Sequence, residues 1–305
     1  MKTVDNYRKI LNIHTVLFLI FAMFSNFILG LFTVSVCFFL ILTIGISHGA
    51  LDNLKGKKLL KIYRLKNNLI FYFGYVLVAL SIIIIWIVIP TITLLIFLIV
   101  AAYHFGKEDS QILEFKKTMF SQLVFLLKGS LVILAPLYFN FNETINIFEI
   151  LNFDNSVLKF LNENGTIEIL FYLSILSNIY FLVTDLYYNY EFIFGDTLAI
   201  IFLNHFCPPL IAFTLYFCFS HSVKHSVSLI TILDNKKFLN GGKIFIKKAI
   251  PLTLITAVLF LTAVSFLSNS YELNESILKV IFIGLASLTF PHILLEYLIE
   301  RNEKK

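Results

Sequence analysis

Seven histidines stand in this chain: His14, His48, His104, His205, His221, His225 and His292. Imidazole is the side chain that both carries protons near neutral pH and ligates Zn, Cu, Fe and Ni. His221 and His225 are four residues apart, so on a helix they share a face and can reach one ion. His48 and His104 each fall near the end of a separate apolar run. With the pair they make a four-nitrogen metal site. His292 occupies the same kind of place in a further run. Carboxylates follow at short spacing: Asp52 four residues after His48, Glu108 and Asp109 four and five after His104, and Glu296 four after His292. A ligating imidazole commonly gives its second ring N–H to a carboxylate, which fixes its tautomer. Asp52, Asp109 and Glu296 are the candidates for that supporting role, and Asp185 is a weaker one.

The elements that must position these groups are membrane helices. Hydrophobic residues make up 58% of the 305 and charged residues 14%, against about 45–50% and 25% in soluble domains. Disorder is excluded, because the chain has too little polar surface. Twelve Gly and three Cys exclude a collagen-like or disulfide-rich chain. A spanning helix needs about 20 mostly apolar residues. Hydropathy places such segments at 11–29, 31–51, 68–89, 91–106, 118–138, 167–186, 192–206, 209–233, 248–267 and 276–298. Gly30, Pro90 and Pro208–Pro209 separate closely spaced pairs, since Pro tends to end a helix. The expected fold is all-α: a polytopic helical bundle of about ten (eight to ten) transmembrane helices, in one domain over 1–305. No cleavage site follows the first apolar segment, which reads as a retained helix.

Charge orients the bundle. The stretch 53–67 holds Lys55, Lys57, Lys58, Lys61, Arg64 and Lys66 without an acid, and 234–248 is rich in Lys. The stretches 139–166 and 268–275 are acidic. The positive-inside rule places the basic stretches in the cytoplasm. The expectation is a multi-pass protein of the cell inner (plasma) membrane with both termini cytoplasmic and the lipid bilayer as its partner. The net charge of +5 is spent on orientation, so no nucleic-acid role is expected. In this topology His48, His104, His221, His225 and His292 all fall on even-numbered segments, which run from outside to inside. All five lie in the cytoplasmic half, at similar depth on four helices. Ionisable groups inside a bilayer are costly, and five imidazoles gathered at one level point to a metal site.

Other groups read more simply. His14 and His205 are expected to be packing or hydrogen-bonded residues, His205 on the outer side. Cys37, Cys207 and Cys218 read as small buried hydrophobes. Lys279 can snorkel, and neither it nor Lys128 has a counter-ion motif of the kind a retinal Schiff base needs. The 34 Phe and 14 Tyr suit lipid contact and also an aromatic-lined channel.

Four segments occur in order: Gly-Ile-Ser-His-Gly-Ala-Leu-Asp (45–52), Tyr-His-Phe-Gly-Lys-Glu-Asp (103–109), His-Ser-Val-Lys-His (221–225) and Phe-Pro-His (290–292). As a set this resembles the Brp/Blh family of bacterial and archaeal membrane β-carotene 15,15'-dioxygenases. The resemblance spans residues 45 to 292. It implies a non-haem Fe(II) enzyme that uses O2 to split the central double bond of β-carotene into two all-trans-retinal. It also implies His48, His104, His221 and His225 as the iron ligands. His292 is then a supporting residue or a spare ligand. Retinal would be released into the membrane, where a rhodopsin could receive it. Two other readings stay open: a different non-haem iron membrane oxygenase, and a haem-binding or metal-transporting protein, since paired helical histidines also ligate haem.

Overall fold

The computed structural model describes residues 2–110, 119–184, 190–234 and 237–303. Asp185 and the side chain of His48 lie outside the described residues. Every regular element among the described residues is helical, as the composition requires. In order they are α1 (Lys2–Met23) with a 3-10 turn Ser25–Leu31, α2 (Val34–Leu40), α3 (Asp52–Ile62), α4 (Leu69–Val88), α5 (Pro90–Glu108) and α6 (Met119–Phe139). There follow α7 (Phe141–Ile150), α8 (Ser156–Glu163), α9 (Thr166–Thr184), α10 (Tyr190–Phe206), α11 (Pro209–Leu215), α12 (Ser222–Leu233), α13 (Phe238–Leu267) and α14 (Leu273–Glu303). A π-turn (Ile41–Gly45) and a 3-10 turn (Ile46–Leu51) join α2 to α3, and a second π-turn (Tyr216–His221) joins α11 to α12.

Prolines set several boundaries. Pro90 and Pro209 occupy the first helical turn of α5 and α11, where a missing N–H costs nothing. Gly165, at φ +69°, follows α8; a left-handed residue of this kind is easiest for Gly.

The described parts of the ten expected segments are largely helical, with breaks at Phe24 and at Phe32–Thr33, and the count of ten spans is not confirmed. Among the described residues, six stretches are long and apolar enough to cross a membrane: Val34–Ile62, Leu69–Val88, Pro90–Glu108, Met119–Phe139, Phe238–Leu267 and Leu273–Asn302. Counting Lys9–Met23 with Ser25–Leu31, bent by 72°, makes seven. The segment 209–233 is not among them, because it carries Ser220, His221, Ser222, Lys224 and His225. Two expected connections are also more ordered than expected. The basic stretch after residue 52 continues as α3, burying Gly56 and Leu60. The acidic stretch 139–166 folds into α7 and α8, with Ile145, Phe148 and Leu158 turned into the core.

Close packing positions the helices that bear the histidines. At Gly106 of α5 an added Cβ would lie 1.8 Å from the Phe125 carbonyl oxygen of α6. At Gly129 of α6 it would lie 1.8 Å from the Ala102 carbonyl oxygen. The two backbones touch here, as small residues allow between membrane helices. One apolar core runs through the bundle, with Trp86, Leu94, Leu131, Leu203 and Leu215 fully enclosed.

Candidate metal centre

Three helices bring the described imidazoles together. His104 lies in the last turn of α5, His221 and His225 flank the start of α12, and His292 follows Pro291 inside α14. All four are buried. The His104 ring centroid is 5.4 Å from that of His221 and 5.2 Å from that of His292, and the His225 and His292 centroids are 5.9 Å apart. The two π-turns meet at this level. Gly45 sits so close to Phe217 that a Cβ would lie 2.7 Å from its ring, and the Ser222 hydroxyl donates to the Gly45 carbonyl at 3.1 Å. A π-turn inserts an extra residue into the helical ladder and is frequent at functional sites. Here it ends on His221. His48 follows the other π-turn, three residues beyond Gly45.

Two of the carboxylates pair across helices rather than along them, whereas Glu296 stays beside His292 of its own helix. Asp52, expected beside His48, lies 2.8 Å from His292 Nδ1. Asp109, expected beside His104, lies 3.1 Å from His221 Nδ1. A carboxylate only accepts, so both rings carry their proton on Nδ1 and offer Nε2 as the ligating atom. Each acid is itself held: Tyr75 donates to Asp52 at 2.9 Å, and Tyr216 donates to Asp109 at 2.6 Å. Glu296 accepts from Lys55 of α3 at 2.5 Å and stands 3.6 Å from His292 Nε2. Glu108 approaches His225 Nδ1 to 3.9 Å. Among the described residues, two sets of three donor atoms lie within 4.8 Å of one another: His104, His292 and Glu296, and Glu108, His225 and Glu296. Metal–nitrogen and metal–oxygen bonds of about 2.0–2.2 Å place ligand atoms up to about 4.4 Å apart, so both sets have the donor chemistry for a divalent transition metal and need draw in only slightly to hold one.

Around this lies a buried polar frame that spacing along the sequence does not reveal. Lys224, between the paired histidines, donates to Asp196 of α10 at 2.5 Å, with both side chains buried. The one available signal was an Asp inside an apolar segment. Lys128 of α6 donates to the Ser110 hydroxyl at 2.9 Å and to the Asp109 carbonyl at 3.3 Å. It thus clamps the end of α5. Lys107 pairs with Glu300 at 2.6 Å and ties α5 to α14.

A cavity of about 860 Å³ runs from this cluster into the bundle. His104, His221 and His292 form part of its wall, and Trp86, Phe97 and Phe213 are among its many apolar neighbours. Lys279 and Tyr271 also line it; Lys279 donates to the Ile150 carbonyl and sits 4.6 Å over the Tyr271 ring. The remaining histidines stand elsewhere. His14 donates from Nε2 to the Phe219 carbonyl at 2.7 Å. His205 is exposed and packs edge-on against Phe139 at 5.5 Å. All three cysteines are buried and free.

Comparison with known proteins bears on the same residues. A family model described as Beta-carotene 15,15'-dioxygenase matches residues 39–300, which include all four histidine motifs. A protein named Beta-carotene 15,15'-dioxygenase from the uncultured marine bacterium 66A03 is 30% identical over 264 residues, covering 84% of this chain and 90% of its own length. No solved structure matches.

Proposed function

The chain belongs to the beta-carotene 15,15'-dioxygenase family, and on that premise we propose that it is a membrane oxygenase cleaving β-carotene, with O2, into two all-trans-retinal. The observation that carries this is the buried imidazole cluster forming part of the wall of one large apolar cavity. A C40 hydrocarbon does not leave the bilayer, so an enzyme for it needs an apolar chamber with its reactive centre inside. We take Fe(II) as the metal, with His48, His104, His221 and His225 as ligands and His292 brought in beside them by its ring contacts. When bound, Fe(II) would supply the activation of O2 that cleavage of a carbon–carbon double bond requires.

The chain's own groups do the rest. Asp52 and Asp109 hold His292 and His221 in one tautomer and one orientation. Trp86, Phe97 and Phe213 enclose the polyene and exclude water. The depth of the cavity beyond the histidines sets which bond lies beside them, because reaction follows position. The enzyme sits in the plasma membrane with both termini in the cytoplasm, and its product enters the same bilayer, open to a rhodopsin. The test uses bacteria engineered to accumulate β-carotene. Wild type should bleach the cells and yield retinal, whereas His221→Ala and His225→Ala, inserted at equal levels, should do neither. Unchanged β-carotene with well-inserted wild type refutes the substrate.

A further inference from the structure

Thr144, Ile147 and Phe148 of α7, and Leu151 just after it, line the same cavity as the histidines. Two helices give the distance between them. Lys279 of α14 donates to the Ile150 carbonyl at the C-terminus of α7 and stands thirteen residues before His292. Thr91, in the first turn of α5, accepts from the Asp154 N–H at 3.0 Å, just beyond α7, and stands thirteen residues before His104. At 1.5 Å per residue, each helix puts α7 about 20 Å from the imidazoles. The short helix α7 is thus the end wall of the cavity. It is held at both ends. Asn140, which precedes it, donates its amide to the Asn204 carbonyl of α10 at 2.7 Å. At its C-terminus the Trp86 indole of α4 donates to the Leu151 carbonyl at 3.4 Å, next to the Lys279 bond. The last carbonyls of a helix carry partial negative charge, which suits an ammonium. A helix of 10 residues is marginal by itself, so these bonds and the buried Thr144, Ile145 and Phe148 keep it in place.

We propose that α7 is the stop that measures the substrate: one end ring of the polyene seats against Ile147 and Phe148, and the Lys279 and Trp86 bonds hold that seat at the depth that puts the central double bond beside the histidines. The inference rests on the carotene-cleaving reading and deepens it, by naming the side chains that choose the bond. Neighbouring double bonds of a conjugated chain are chemically alike. The reacting centre cannot tell them apart, so selection falls to position. The end ring is bulkier than the chain, and a fixed wall that meets it converts cavity depth into bond choice. The chemistry balances whichever bond is chosen. The C=C breaks, O2 supplies one oxygen atom to each carbon, and two carbonyl products share the carbons of the substrate between them. The central bond gives two equal retinals, and any other gives one longer and one shorter apocarotenal.

The experiment reads product lengths by chromatography and mass spectrometry in β-carotene-accumulating cells. Wild type, Phe148→Ala and Lys279→Met are compared at equal inserted levels. Phe148→Ala deepens the seat. Lys279→Met keeps most of the side chain's length and removes its bond to α7. Both should yield unequal apocarotenals beside retinal. The ratio of retinal to unequal products should fall at least about tenfold, the discrimination that a single apolar wall supplies. Metal content of the purified variants should match wild type, because both positions lie far from the histidines. Retinal as the sole product of Phe148→Ala overturns the stop, and as the sole product of Lys279→Met it overturns the latch. Loss of all cleavage with metal retained also overturns the stop, since a displaced wall shifts the bond without disabling the centre. No retinal from inserted wild type overturns the carotene-cleaving reading itself. If Phe148→Ala does not insert, Phe148→Leu takes its place under the same outcomes.

Discussion

Gly106 lies two residues after His104 and two before Glu108, at the point where α5 touches α6. Replacing it with Ala adds one Cβ, which would start 1.8 Å from the Phe125 carbonyl oxygen, 2.8 Å from the Phe125 carbonyl carbon and 2.8 Å from the Gly129 amide nitrogen. Ordinary contact begins near 3.4 Å, so the helices must part locally by about 1.6 Å. The obstructing atoms are backbone and cannot swing aside. The cost in stability is that of overpacking, about 1–3 kcal/mol, and the bundle should still insert. Function should suffer more, because α5 moves with His104, Glu108 and Asp109 while α12 and α14 stay in place. Misplacement of about 1 Å at a reacting centre costs on the order of 100-fold, so retinal formation should fall by about that factor. The assay is retinal per unit of inserted protein in β-carotene-accumulating cells, with size-exclusion profiles reporting the fold. Gly74→Ala, with nothing within 4 Å of its added Cβ, is the control and should match wild type. A fully active Gly106→Ala would show that the α5–α6 contact does not set the position of the centre.

Two further outcomes follow from the same geometry. Asp109→Asn keeps the shape but weakens the acceptor at His221 Nδ1 and sets an amide N–H against the Tyr216 hydroxyl, so metal affinity should drop about 10–100-fold; titration of the purified chain with Fe(II) measures it, and unchanged affinity would remove Asp109 from its orienting role. His205→Ala should change retinal formation little and stability by less than about 0.5 kcal/mol, because an exposed ring touching Phe139 is lost; a folded but inactive variant would mean that the His205 end of α10 takes part in the centre.

Periodicity and residue type made legible what lies along one helix. Apolar runs located the helices, and the cost of burying imidazole at one depth singled out the histidines that meet. What escaped was everything decided between helices. Asp52 is spaced for His48 but serves His292, and Asp109 is spaced for His104 but serves His221. Spacing along a chain cannot register a partner 240 residues away. The same holds for Lys224 with Asp196 and for Lys128 with Ser110, which read as stray charges until a second helix supplies their acceptors. The π-turns leave no periodic trace at all, yet they bring Gly45 against Phe217 and start α12 on His221. Polar content also sets one segment apart from the apolar spans. A segment that carries Ser220, His221, Ser222, Lys224 and His225 gives up the uniform apolarity of a lipid-facing helix, because neighbouring helices rather than lipid surround it. The segment least like a membrane span by hydropathy is therefore the one most committed to the site.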